Sequence, residues 1–323
     1  MRLLLLNMIV FVSCLGLPAR AQPASFHAGI VRIAVPAEQP FDTFVWYPTQ
    51  NDEIPWKAGP FTISARLKAE VATGPFPVIM LSHGGGSSCG SPLILGDLSA
   101  YLARNGFVVV APIHCKTPFV HRANQIASAF EAVVADPRLK SHIASDRLGM
   151  LGFSLGTAVT LELAGGIPNF QHLAMYCSTH PTDVMSCNAG PGHATDAASS
   201  VQNDNASNVA LLRRLPLKAL VLLDPFGVAF QRDGLSAVSM PVLLFRPEQS
   251  MLGDENTRTL TADLPHPPQV QHVPGGHFVF TDACSAALKT DAPEICEDPP
   301  GVDRAAVHSG VEAQTAKFLH DSL

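Results

Sequence analysis

Charged side chains are scarce in this chain. Asp, Glu, Lys and Arg make up 15% of its 323 residues, against about 25% in an average soluble protein. With 47% hydrophobic residues beside them, that shortage excludes a disordered chain, which needs the opposite balance. A coiled coil is excluded too, because the Ala/Glu/Lys/Leu/Arg richness of long helices is missing. Positive charge is in deficit, with 21 Lys+Arg against 27 Asp+Glu and a formal charge of −6. Nothing in that balance attracts nucleic acid or an anionic bilayer. There is no internal repeat, no C-x-x-C pair and no H-E-x-x-H among the 13 histidines, so neither a metal nor a cofactor is expected. No apolar run reaches the roughly 20 residues that span a membrane. Proline, by contrast, is plentiful at 27, which predicts many loops around an ordered core.

The N-terminus has the layout of a secretory signal peptide. Arg2 precedes an apolar run from Leu3 to Leu17, broken by Asn7 and Ser13, and Pro18-Ala19-Arg20-Ala21 sets small residues before a cut at Gln22. The expectation is an exported chain, secreted or periplasmic, with signal 1–21 and mature protein 22–323. Export leaves an even set of six cysteines in an oxidising compartment, where disulfides form. The expected pairs are local: Cys177 with Cys187, Cys284 with Cys296, and Cys89 with Cys115.

Short apolar runs alternate with helical stretches. Val31–Val35 and Thr43–Tyr47 read as strands, the second closed by Pro48, and Phe76–Ser82 as a buried parallel strand apolar on both sides. Further strands are expected at Phe107–Pro112, Arg147–Phe153, Lys218–Leu223, Pro241–Phe245 and Gln269–Val273. Helices are expected at Pro92–Asn105, Gln125–Ala135, Ser154–Ala164 and Asp303–Leu319. That alternation predicts an α/β fold, with a mostly parallel central sheet and helices on both faces. Residues 165–215 break the pattern and read as a lid inserted into one domain.

Gly152-Phe153-Ser154-Leu155-Gly156 is G-x-S-x-G at a strand-to-helix junction, the setting of a nucleophile elbow. A serine there needs a base, and His277, beyond the last strand on Gly275-Gly276, is placed to supply it. The acid must lie between them at a strand end; Asp224, Glu248 and Asp254 all qualify by position. His83-Gly84-Gly85-Gly86 after a buried strand suits an oxyanion hole, with the amides of Gly85 and Leu155 as donors.

Together these pieces resemble an α/β-hydrolase, and more narrowly the group of platelet-activating-factor acetylhydrolases, predicted dienelactone hydrolases and chlorophyllases. The resemblance rests on Trp46-Tyr47-Pro48, Leu81-Ser82-His83-Gly84, Gly152-Phe-Ser-Leu-Gly156, Leu222-Leu223-Asp224-Pro225 and Gly275-Gly276-His277-Phe278, which occur in the family's order. It implies Asp224 as the acid rather than Glu248. It also implies hydrolysis of a small-molecule or lipid-like ester without cofactor, with lactone, thioester or amide cleavage as alternatives and a non-catalytic binding module as a remote one. Phe153 stands where the group often has His.

Overall fold

The computed structural model describes residues 26–85, 90–115, 117–189 and 214–323. The expected signal peptide lies outside the described residues, and so does the middle of the 165–215 insertion. The strands are β1 (His27–Val35), β2 (Phe41–Thr49), β3 (Trp56–Ala58), β4 (Phe61–Ile63), β5 (Arg66–Leu67), β6 (Phe76–Ser82), β7 (Val108–Pro112), β8 (Ile143–Phe153), β9 (Ala219–Leu223), β10 (Val242–Gln249) and β11 (Gln269–Gly276). Among the described residues, nine of them form one sheet in the order β11-β10-β9-β8-β6-β7-β2-β1-β5, and β3 pairs with β4 separately. Strands β11 through β7 are mutually parallel, while β2 runs antiparallel to both β7 and β1.

The continuous apolar runs exist because the parallel strands are covered on both faces. In β6, Val78 and Met80 join one core cluster, and Ile79 and Leu81 the other. In β9, Leu220 and Leu222 face one way, and Ala219, Val221 and Leu223 the other. The helices α1 (Gly96–Arg104), α2 (Phe119–Ala135) and α3 (Leu155–Leu163) close these faces, joined by a C-terminal helix at Arg304–Ser322. Helices α2 and α3 pack on the first face through Ala123, Ile126, Ala158 and Val159. Helix α1 and the C-terminal helix cover the other, with Leu98, Leu102, Val311 and Phe318. Every residue of β6 and β9 is buried, so truncating one of their leucines to alanine costs about 2–5 kcal/mol.

Several elements run longer than the sequence reading, β1 from His27, β8 from Ile143 and β11 to Gly276 among them, and β3, β4 and β5 are additional. Elements β2, α2 and β10 differ as well. Strand β2 runs through Pro48 to Thr49. Its ladder with β7 covers only Thr43 to Trp46, and the Pro48 carbonyl accepts from Ala72, on the side where the missing N–H would point. No ladder bond is therefore lost. Helix α2 starts at Phe119, directly after Pro118, because Phe119 and Ala123 extend its buried face one and a half turns ahead of Gln125. Strand β10 continues past Phe245 to Gln249, carrying a buried Arg246.

The described part of the insertion forms α4 (Phe170–Thr179) and α5 (Val184–Ala189), joined by the expected Cys177–Cys187 disulfide. This helix pair docks on the loop after β10. The Tyr176 hydroxyl donates to Asp183 at 2.7 Å, Gly253 N donates to the same carboxylate at 3.0 Å, and Asn256 donates to Ser186 Oγ at 2.7 Å. The Cys284–Cys296 disulfide is also present. Cys115 is disulfide-bonded, and Cys89, its expected partner, lies outside the described residues. The two bridges close segments of 10 and 12 residues, for which chain entropy gives about 3 kcal/mol each. Reducing agent should therefore lower the melting temperature by several degrees. An unchanged melting temperature once all thiols titrate as free would contradict a stabilising role.

Candidate active site

The C-terminal ends of β8, β9 and β11 lie on one rim of the sheet and carry the three expected residues. Ser154 follows β8 directly and stands at φ 54° and ψ −126°, a left-handed backbone that a side chain adopts only under constraint. Gly156 provides the room for that turn: a Cβ there would run into the carbonyl of Ser82. The turn is pinned to the sheet through its backbone, since Ser154 N donates to Leu223 O at 3.0 Å. Asp224, the next residue, also sits at positive φ, 43°. Among the described residues only Lys68 shares this conformation without being glycine, so backbone strain is concentrated at two of the three positions.

Asp224 is fully buried and His277 is 2% exposed. His277 Nδ1 lies 2.6 Å from Asp224 Oδ2. A carboxylate only accepts, so Nδ1 carries a proton, and in the neutral ring this tautomer leaves the lone pair on Nε2. The His277 ring stacks on Phe153 at 5.0 Å between centroids, with Phe278 edge-on at 4.8 Å. Phe153 thus floors the imidazole as well as leading into the elbow. Ser154 is 6% exposed, and its hydroxyl has no hydrogen-bond partner among the described residues. Serine–histidine bonds in unliganded sites often tighten only when substrate binds.

Of the other acid candidates, Glu248 is exposed at the end of β10, and Asp254, with a side chain 86% exposed, pairs with Arg246. Neither reaches His277. Other histidines are elsewhere: His272 is exposed on the edge strand, and His308 is half-buried and bonded to Val279 O at 2.8 Å.

The glycine loop lies against the serine, since a Cβ at Gly84 would come within 2.8 Å of Ser154 Cβ. Gly85 follows at φ 88°, and Gly86 lies outside the described residues. Leu155 opens α3, so its amide is one of those a helix leaves without an intrahelical partner. Behind the loop is a buried polar chain. His114 N donates to His83 Nε2 at 3.1 Å, which leaves His83 Nδ1–H for the Gly84 carbonyl at 2.8 Å. His114 Nδ1 meets Gln125 Oε1 at 2.5 Å, and Ser82 Oγ donates to His114 Nε2 at 3.0 Å. His83 Nε2 accepts from a backbone N–H, so that ring is satisfied only when neutral, and burial keeps His114 neutral beside it. This brace fixes the loop by its carbonyl.

The sequence reading missed Arg246. Its guanidinium, 6% exposed, donates from Nη1 to Asp224 Oδ1 at 2.9 Å. A charge directly after the apolar run Val242–Phe245 is the available signal. Among the described residues, no cluster of His, Cys, Asp or Glu has a metal-holding arrangement, and no helix is long and apolar enough to cross a membrane.

Solved structures similar to the chain include esterases. A ferulic acid esterase from Streptomyces cinnamoneus superposes with a TM-score of 0.58 at 16% identity, over 95% of this chain and 92% of that one. The chain has the α/β-hydrolase fold. Zinc-bound and polyethylene-glycol-bound structures of a cold-adapted esterase from an Arctic intertidal metagenomic library give TM-scores of 0.48 and 0.46. They are 10% and 12% identical, covering 91% and 90% of this chain and 95% and 93% of theirs. No family model matches the sequence, and the curated proteins contain no match to it.

Burial holds the His83 imidazole down to about 4 and that of His114 well below its ordinary value. The unfolded chain takes up the His83 proton near 6.5 and the folded chain only near 4. Its contribution to stability is thus complete above pH 6.5 and lost as pH falls toward 4, a change of roughly 3 kcal/mol. Glu162 and Glu312, raised by burial to about 8 and about 7, act in the opposite sense over an overlapping range. The His83 share is therefore read as a difference in urea unfolding. From about pH 7 to about pH 4.5 the wild type should lose about 2 kcal/mol relative to His83→Asn; parallel pH curves would contradict the neutral brace.

Proposed function

We propose that this chain is a serine-dependent carboxylic ester hydrolase working through an acyl-enzyme. One observation carries the reading: a buried Asp224–His277 hydrogen bond faces the same rim as a serine held on a strained strand-to-helix turn. Ser154 attacks the ester carbonyl while His277 Nε2 takes its proton, and Asp224 holds the ring in the required tautomer. The amides of Gly85 and Leu155 donate to the tetrahedral oxyanion. His277 then protonates the leaving alcohol, and water attacks the acyl-enzyme by the same path in reverse.

The narrower resemblance to platelet-activating-factor acetylhydrolases, predicted dienelactone hydrolases and chlorophyllases supports an ester as substrate, small or lipid-like, with the 165–215 insertion as a lid choosing among acyl chains. Export under signal 1–21 fits the disulfides. A panel of p-nitrophenyl esters of rising acyl length, a feruloyl ester, lactones, thioesters and amides ranks the substrate classes. Turnover of lactones above all esters would replace this reading with a lactonase.

Ser154→Ala should remove at least about 10³-fold in kcat with folding intact. Asp224→Asn should lose about 10³-fold or more, and Glu248→Gln should stay within about twofold, as expected of an exposed side chain. Steady-state kinetics at matched circular dichroism checks both. A larger loss in Glu248→Gln than in Asp224→Asn would overturn the choice of acid.

A further inference from the structure

Arg246 is a permanent charge placed inside the sheet, where an apolar residue would continue β10. A guanidinium removed from water is retained only where its partners compensate for lost hydration. Its Nη1 is bonded to Asp224 Oδ1 at 2.9 Å; Nη2 is bonded to the Leu252 carbonyl at 2.7 Å and to Asp254 Oδ1 at 3.0 Å. The Asp254 side chain is 86% exposed whereas that of Asp224 is wholly buried, so the Asp224 arm is the one that solvent does not screen. Ser250, on the loop that Arg246 holds, donates to Asp224 Oδ2 at 2.5 Å and accepts from Leu252 N at 3.0 Å.

We propose that Arg246 and Ser250 are positioning residues for Asp224, fixing the plane of its carboxylate so that Oδ2 meets His277 Nδ1. The inference rests on the triad reading above. Arg246 occupies Oδ1, so the carboxylate cannot rotate to offer that oxygen to the imidazole. Ser250 and His277 both meet Oδ2, and with Arg246 on Oδ1 the three partners together set the carboxylate's orientation. Asp224 also stands on left-handed backbone (φ 43°), a conformation that persists only where its surroundings hold it. A single cation thus ties the end of β10, the loop carrying Ser250 and the acid into one unit. A rival role, in which Arg246 only pins the loop through Leu252 and Asp254, accounts for the Ser250 bond to Leu252 N but leaves its bond to Asp224 unexplained.

The test uses the full chain and p-nitrophenyl ester hydrolysis, with reactive serine counted by fluorophosphonate titration. Ser250→Ala should lower kcat per titrated serine about tenfold, the loss of one hydrogen bond to a charged group, with KM and melting temperature close to wild type. Arg246→Met should lower it about 100-fold, the effect of a displaced catalytic group. Arg246→Lys should recover part of that loss, since an ammonium reaches one partner but lacks the planar fork. In an Asp224→Asn background the same changes should add little, because residues acting through one group are not additive. A lowered melting temperature with wild-type kcat per titrated serine would show a loop pin and overturn the proposal, as would full additivity with Asp224→Asn. If Arg246→Met does not fold, Ser250→Ala and Arg246→Lys decide. A wild type that hydrolyses esters without labelling at Ser154 would sink the triad reading itself, whereas a labelled wild type with unaffected variants sinks only the positioning role.

Discussion

A carboxylate with no access to water, bonded to the ring nitrogen of His277, is the contact on which the rest of the rim depends. Asp224 in isolation would be costly to bury. It is tolerated because Arg246, Ser250 and His277 supply three donors to its two oxygens. Those donors come from the end of β10, the loop after β10 and the turn after β11, so the acid can be satisfied only if these strands are in register. The pairing Leu244↔Leu222 and Phe245↔Leu223 beside Arg246↔His272 provides that register. The energetic requirement of one buried charge therefore constrains the order of three strands.

The same rim shows where strain is accepted. Ser154 and Asp224 are held at positive φ by bonds to neighbouring strands, Ser154 N to Leu223 O and Asp224 N to Phe245 O. Helix α3 leaves from the serine, so its first amides point at the space above the sheet, and the glycine loop faces them from β6. Neutral His83 and His114 brace that loop without bringing a charge near it. Helices α4 and α5 lean on the loop that carries Ser250 through Asp183 and Gly253.

Much of this is legible in the sequence because parallel strands between two helical layers must be apolar on both faces. Phe76–Ser82 declares itself for that reason, and the strand–Gly152–Ser154–Gly156–helix junction leaves few alternatives for the elbow. His277 follows from chain order and its two preceding glycines. What escapes is decided by partners distant in sequence. Whether Asp224, Glu248 or Asp254 turns inward depends on which one meets Arg246 and His277, and strand-end position is common to all three. Pro48 looks like a stop because only the fold shows that β7 begins at Val108, too late to pair with it. Arg246 looks like the end of a strand because a lone charge gives no hint of a carboxylate 22 residues away.

The most direct test of the central claim is to quench turnover of p-nitrophenyl butyrate with acid and measure the mass of the peptide containing Ser154. The account predicts a butyryl group on Ser154 in wild type. It predicts that the adduct persists longer in variants that weaken His277 or Asp224, because deacylation needs the same base. Steady ester turnover with no acyl mass on Ser154, or with the acyl group on another residue, would contradict it.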